Sequence, residues 1–150
     1  MTRYQGTSPD EICLVSGAKQ QGFVFLGSTS HNIVLSINNE EREVELVTFF
    51  EFDNKRKMMS VIVKDNGIYK LYCKGADMAI LSRLAKDRKQ PVLEHTEYNI
   101  HEYSKQGLRT LCMAFKILTP EEVSSIKKKL LELSVLIMDR ESTLSTLKII

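Results

Sequence analysis

The chain has 150 residues, of which 43% are hydrophobic and 27% charged, and it carries a formal net charge of +2 at pH 7. This length and composition predict one globular domain with a real core. The charge is too small to favour nucleic-acid binding, which requires a clearly basic face. No apolar run approaches the ~20 residues needed to span a bilayer.

The ends of the chain and its cysteines give further limits. The N-terminus shows no signal peptide. The abrupt start and the apolar end, Lys148-Ile149-Ile150, suggest a soluble fragment of a longer protein. The cysteines, Cys13, Cys73 and Cys112, lack metal-ligand spacing and indicate a reducing compartment. We therefore expect no metal site in this chain.

The chain opens with a helix signal. Ser8 is predicted to be the N-cap, Pro9 the first helical residue, and Glu11 the partner that completes a capping box. Gly22 is expected to end this helix. The same pattern returns at Thr119-Pro120-Glu121-Glu122, where a long amphipathic helix is predicted to start.

Strands and helices follow in an order that indicates an α+β fold. Alternating or apolar runs predict strands at 23–27, 32–37, 42–52, 58–65, 68–74 and 108–117. Further helices are predicted at 78–85, 94–106, from 120 onward, and at 140–148. The expected architecture is an antiparallel β-sheet flanked by helices.

The centre of this pattern is a hairpin. Asn66-Gly67 suits a type I′ turn, in which both central residues take positive φ. A two-residue loop places Met59 directly opposite Lys74, on one face of the sheet. Gly75 follows, where a missing Cβ lets a ligand approach. With Phe52 just before the hairpin, these residues predict a purine pocket. The competing interpretation is that Phe52 and Met59 belong to the core.

One charged residue stands out in the last predicted strand. Arg109 lies near the start of the apolar run 108–117. An arginine buried in such a strand would need an anionic partner, either a carboxylate or a ligand phosphate.

Four motifs, in this order and at these spacings, resemble the nucleotide-binding domain of P-type ATPases. They are Ser-Pro-Asp-Glu at 8–11, Glu-Phe-Asp-Asn-Lys-Arg-Lys-Met-Met-Ser-Val-Ile-Val at 51–63, Cys-Lys-Gly-Ala-Asp at 73–77 and Gly-Leu-Arg-Thr-Leu at 107–111. Asp77 and the Ser-Pro-Asp-Glu opening resemble the type IV, phospholipid-transporting subfamily (flippases). The resemblance covers nearly the whole chain.

The resemblance implies a role for each residue of an adenine-nucleotide site. Phe52 would stack on adenine, Glu11 would meet its exocyclic amino group, and Met59 would line the wall. Lys74 would lie deep against the nucleotide, and Arg109 would reach the phosphates.

Two positions depart from the family pattern. Asn54 stands where flippases usually have Ser, so a polar contact near the base is expected to differ. Met58 replaces a residue that is commonly basic, which would remove one charge near the pocket mouth.

The resemblance also implies what surrounds the domain. The chain would bind ATP with Mg²⁺, whose ligands lie outside it, and would carry no catalytic residue, so no hydrolysis is expected. The parent would be an integral membrane protein with this domain on the cytosolic side. Its partners would be phosphorylation and actuator domains and an accessory membrane subunit.

Two alternatives remain open. The first is the same domain from an ion-pumping P-type ATPase. The second is a non-nucleotide interaction module whose cationic run, Lys55-Arg56-Lys57, binds an acidic partner.

Overall fold

A computed structural model describes residues 4–5, 8–85 and 91–137 of the chain. The elements in order are α1 (Pro9–Gln20), β1 (Phe23–Ser28), β2 (Asn32–Ile37), β3 (Glu40–Asp53), β4 (Met58–Asp65), β5 (Ile68–Gly75), α2 (Asp77–Leu81), α3 (Pro91–Lys105), β6 (Cys112–Leu118) and α4 (Pro120–Ile137). None of the helices in these ranges is long and apolar enough to cross a membrane.

The strands form a six-stranded sheet in the order β1-β2-β3-β4-β5-β6, which is also their order in the chain. The first five strands are joined by short turns, as antiparallel strands allow, whereas α2 and α3 lie between β5 and β6. Helices precede, interrupt and follow the strands. The predicted α+β fold, an antiparallel sheet with helices, is confirmed.

The chain divides into two compact units. The first comprises the described residues of 4–48, together with residues 63–68. In it, β1 pairs with β2 and β2 with β3, both antiparallel, with a register shift between Phe25 and Gly27. The Arg42 guanidinium donates to the Asp65 carboxylate, with an Nε–Oδ1 distance of 3.0 Å. No residue of α1 is fully buried.

The second unit comprises the described residues of 49–62 and 69–137. Its core is apolar and includes Met58, Ile62, Leu71, Cys73, Ile80, Cys112, Leu118 and Val123. These residues come from β4, β5, β6 and the helices α2 and α4. Ser60 is buried among them, and its hydroxyl lies 3.3 Å from the Cys73 sulfur, which satisfies this buried polar group.

Several predicted bounds need correction. Helix α2 is one short turn, Asp77–Leu81, instead of 78–85, and α3 begins at Pro91 instead of 94. Strand β6 begins at Cys112, four residues later than predicted. The helix predicted at 140–148 lies outside the described residues.

The two helix starts with the same sequence pattern differ. At α4 the capping box forms, because the Glu122 N–H donates to the Thr119 hydroxyl at 3.2 Å and the Thr119 N–H to the Glu122 carboxylate at 2.8 Å. At α1 the Ser8 side chain makes no capping hydrogen bond. The predicted box at Ser8 is therefore wrong in its hydroxyl half.

Candidate functional site

The β4–β5 hairpin has the turn that its sequence predicts. Asn66 and Gly67 take φ values of 49° and 79°, as a type I′ turn requires. Further along the strands, the Ser60 hydroxyl lies 3.3 Å from the Cys73 sulfur, and the Ala76 N–H donates to the Lys57 carbonyl at 3.0 Å. Both contacts belong to the predicted register, which places Met59 opposite Lys74.

This register defines what we call the open face of the sheet, the face that carries Met59, Lys74 and Met113. Met59 and Lys74 are half-buried, and Lys74 pairs with Met113 on β6. Met113 is 62% exposed and Phe115 68%, whereas Cys112, on the opposite face of β6, is buried. The open face therefore offers an apolar surface beside a lysine.

Phe52 stands near the end of β3 with its side chain accessible. It is 56% exposed, so the competing interpretation, in which its ring belongs to the core, is wrong. Residues 54–57 join β3 to β4, and the Lys57 N–H donates to the Asp53 carbonyl at 2.7 Å. We infer from this four-residue loop that Asp53 lies opposite Met58, and hence Phe52 beside Met59.

The loop 54–57 is held by its neighbours. The Asp53 carboxylate accepts the N–H groups of Lys55 at 3.0 Å and Arg56 at 2.7 Å. The Arg56 guanidinium donates to the Glu51 carbonyl at 3.0 Å. It also lies 5.7 Å from the centre of the Phe50 ring. The centre of the cationic run is therefore bound to the protein's own backbone. Asn54 is exposed at the first position of this loop.

Gly75 serves a different purpose from the one predicted. A Cβ at this position would lie 2.6 Å from the Met58 Cβ and 2.8 Å from its Cα, and closer still to the Lys57 carbonyl oxygen. The space beside Gly75 is filled by the protein's own backbone. The glycine therefore allows β4 to approach β5, and no ligand can occupy that side.

Arg109 also differs from the prediction. It lies in the irregular segment before β6 and is exposed. The prediction that it enters a buried apolar strand is wrong, because β6 begins only at Cys112. The strand itself is also not buried on both faces, since it lies at one edge of the described sheet and one of its faces is open. Burial therefore does not force an anionic partner on Arg109, and its predicted contact with a phosphate depends on the family resemblance.

Glu11 and Met58, the remaining predicted residues, are both shielded from solvent, to different degrees. Glu11 is half-buried in α1, within the first unit. Met58 is only 1% exposed and belongs to the core. The prediction that this methionine changes the charge at a pocket mouth is therefore wrong, since its side chain does not reach solvent.

In the part of the chain that the structure describes, the Cys112 thiol and the acidic residues offer no second site. Burial raises the pKa of the Cys112 thiol, and the nearby charge of Asp77 raises it further. The thiol is therefore a poor nucleophile at neutral pH. Within the described ranges, no group of three or more His, Cys, Asp or Glu residues could hold a metal ion.

A pocket of about 490 Å³ is found elsewhere, within the first unit. It is lined by Ile37, Asn38, Glu40, Glu41, Arg42 and Asn66. None of the predicted nucleotide-binding residues lines it.

Comparison with known proteins identifies the family. The family described as P-type ATPase, cytoplasmic domain N, matches residues 4–149. The chain belongs to this family. It is 39% identical over 142 residues to the human phospholipid-transporting ATPase IG, which covers 92% of this chain and 12% of that protein. The Xenopus tropicalis phospholipid-transporting ATPase IC is 37% identical over 142 residues, 94% of this chain and 11% of that protein.

A fungal relative gives the same result. A phospholipid-transporting ATPase of Schizosaccharomyces pombe is 40% identical over 121 residues, 80% of this chain and 10% of that protein. The chain thus spans only 10–12% of the length of these relatives. The N-domain resemblance inferred from the four motifs is confirmed.

The sequence-based predictions missed the hydrogen bonds by which Asp53 and Arg56 hold the 54–57 loop. In the sequence both are members of a motif, and Arg56 is also the centre of a cationic run. One signal was available, because an Asp that begins a loop commonly accepts N–H groups two and three residues later. That signal would have predicted the Asp53 contacts, although not the contact between Arg56 and Glu51.

Proposed function

We propose that this N domain binds ATP for a phospholipid-translocating P-type ATPase and presents the γ-phosphate to an aspartate in a separate phosphorylation domain. The observation that carries the proposal is the exposed ring of Phe52 on the strand next to Met59, with Lys74 opposite Met59. An accessible aromatic face, an apolar wall and an amine are the groups that an adenine nucleotide needs.

The expected binding free energy fits a domain that delivers its ligand to another domain. Stacking a base on one aromatic side chain is worth ~1–3 kcal/mol. One or two ionic contacts with the phosphates would add to this, giving modest affinity. A domain that must bind ATP, present it elsewhere and release ADP is served by such weak binding.

The roles of the site residues follow from this proposal. Phe52 stacks on the base, Met59 lines the wall and Lys74 contacts the nucleotide. Asn54, at the start of the loop, faces the base edge. Glu11 meets the exocyclic amino group and Arg109 the phosphates. Gly75 contributes indirectly, because it allows the Lys57–Met58 backbone to lie against β5.

The rest of the cycle belongs to the parent protein. We propose that Mg²⁺ arrives with ATP and is held by ligands outside this chain. The domain lies on the cytosolic side of the membrane and works with phosphorylation and actuator domains and an accessory membrane subunit. The support is that the relatives are named phospholipid-transporting ATPases.

A titration tests the proposal. ATP, ADP and AMP are expected to shift the amide resonances around Phe52, Met59 and Lys74 without turnover. Phe52→Ala should lower the affinity for all three by about tenfold, since ~1.4 kcal/mol corresponds to a factor of ten.

The chain offers a matched control. Phe49 is on the same strand and 58% exposed, but three residues from Phe52, so alternation directs it to the other face. Phe49→Ala should leave the affinity unchanged. Equal affinity in Phe52→Ala and the unmodified chain would refute the proposed site. Displacement of ATP by inorganic triphosphate alone, at equal concentration, would favour a cation-driven interaction module.

A further inference from the structure

The residues on either side of Phe52 are both bonded to one arginine. Glu51, before it, accepts a hydrogen bond from the Arg56 guanidinium at 3.0 Å through its carbonyl. Asp53, after it, accepts the Arg56 N–H at 2.7 Å through its carboxylate. We propose that Asp53 and Arg56 are positioning residues that fix the Phe52 ring for base stacking, an inference that rests on the proposed function.

The geometry explains how a ring can be both exposed and ordered. With 56% of its surface in water, Phe52 has few packing contacts to fix its orientation. The peptide carbonyl before it is bonded to the Arg56 guanidinium, and the side chain of the next residue, Asp53, is bonded to the Arg56 N–H; together they restrain the backbone that sets the direction of the Phe52 Cα–Cβ bond. Only the two side-chain torsions then remain free. A stacking surface that is ordered before binding costs less entropy when the base arrives.

The same loop is also joined to the strand of Lys74. The Lys57 carbonyl accepts the Ala76 N–H at 3.0 Å, and the Lys57–Met58 backbone lies against Gly75. The Lys57 N–H in turn donates to the Asp53 carbonyl at 2.7 Å. A chain of hydrogen bonds thus connects the residue after Phe52 to the segment just after Lys74. It fixes the backbone that carries the ring relative to the backbone that carries the amine.

Arg56 is better suited to this task than to holding a phosphate. Its guanidinium donates to the Glu51 carbonyl, lies 3.5 Å from the Met58 carbonyl, and stands 5.7 Å from the Phe50 ring centre. Both carbonyl contacts are made by one terminal nitrogen, Nη2, while the planar guanidinium lies near the Phe50 ring; a lysine side chain is shorter and has no planar group to place there. Charge alone should therefore not replace Arg56.

The test compares an uncharged ligand with a charged one. Adenosine and ATP are titrated into the full chain carrying Arg56→Lys, which keeps the charge and loses the fork. We expect both affinities to fall by the same factor, about three- to tenfold, because part of the stacking is lost. A phosphate contact by Arg56 would instead leave adenosine binding intact and Arg56→Lys nearly neutral. That result would overturn the inference.

Asp53 provides a second arm that does not alter the arginine. Asp53→Ala removes both carboxylate contacts and should lower adenosine affinity by a similar factor. Asp53→Asn keeps an acceptor oxygen and should restore affinity to within about twofold. Lys55→Ala is the matched control, because it removes one positive charge from the same loop and keeps the N–H that Asp53 binds. It should leave adenosine affinity unchanged.

A double variant separates positioning from general damage. In the Phe52→Ala background, Arg56→Lys and Asp53→Ala should have no further effect on adenosine affinity, because they act through the ring. Undiminished losses in that background would overturn the inference. If Phe52→Ala alone weakens binding while Arg56→Lys and Asp53→Ala do not, the positioning role fails and the proposed function stands. If Phe52→Ala itself has no effect, the proposed function fails.

Discussion

The two loops at the ends of β4 reach tight turns in different ways. At one end, Asn66 and Gly67 supply the positive φ values of 49° and 79° themselves. At the other end, Lys57 takes a φ of 57°, although lysine has no special tolerance for this conformation. The difference is made by hydrogen bonds to Asp53 and Ala76, which hold the Lys57 backbone in place.

The backbone conformation of one loop is set by local interactions and that of the other by distant ones. The Asn66-Gly67 turn can be predicted from two residues, because its conformation is intrinsic to them. The 54–57 loop depends on Asp53 in β3 and on Ala76, the residue just before α2, so no short sequence window contains its cause. Backbone strain that is maintained by surrounding contacts is common at functional sites, and this loop lies at the proposed one.

The largest expected effect comes from removing the space that the 54–57 loop needs. Gly75→Ala would place a Cβ 2.6 Å from the Met58 Cβ and 2.8 Å from its Cα, and this backbone cannot move freely because it belongs to the β4 strand. We expect a loss of about 3 kcal/mol in the free energy of unfolding, typical of severe overpacking. Denaturant titration measures it.

Gly27→Ala is the control for this substitution, since a Cβ there meets nothing within 4 Å. It should change the unfolding free energy by less than about 0.5 kcal/mol. Similar unfolding midpoints for Gly75→Ala and Gly27→Ala would mean that the close approach of β4 and β5 can relax without cost.

A smaller loss is expected at the other loop. Gly67→Ala forces a side chain into a φ of 79° and should cost about 1–2 kcal/mol of stability, with no clash to relieve. Gly67→Asn should cost less, because asparagine tolerates left-handed backbone. Thermal unfolding of the two variants gives the comparison, and equal losses would contradict a cause in backbone conformation.

The smallest expected change is a gain in the free energy of unfolding. Lys57→Gly removes the conformational cost of a φ of 57° and should raise the unfolding free energy by about 0.5–1 kcal/mol, after allowing for the more flexible unfolded chain. Lys55→Gly, in the same loop but without positive φ, should instead lose stability. If both glycines destabilise equally, the loop stores no strain at Lys57.

Much of the fold could be predicted because its signals are local. The bounds of β2 and β4 and the turn between β4 and β5 follow from short alternating runs and from Asn66-Gly67. The errors lie where tertiary context decides. Gly75 suggested room for a ligand, but whether a missing Cβ faces a ligand or another strand depends on the neighbouring chain.

The same limit applies to Arg109 and β6. The apolar run 108–117 predicted a buried strand, but β6 lies at a sheet edge and exposes Met113, Phe115 and Ile117 on one face. Hydrophobicity alone cannot distinguish a strand covered on both faces from one covered on a single face. For the candidate site, the register that places Met59 opposite Lys74 could be predicted from the turn. The contacts of the Arg56 guanidinium with the Glu51 carbonyl and the Phe50 ring could not, because they depend on the folded loop.

The way Asp53 holds its loop has a consequence for redesign. Its carboxylate binds the backbone amides of Lys55 and Arg56, and every residue except proline carries such an amide. The side chains at 54 and 55 are therefore decoupled from the shape of the segment that displays them. A combinatorial library at position 54 would vary the group offered to the proposed purine edge, and it would provide a route to guanine-selective versions of the domain.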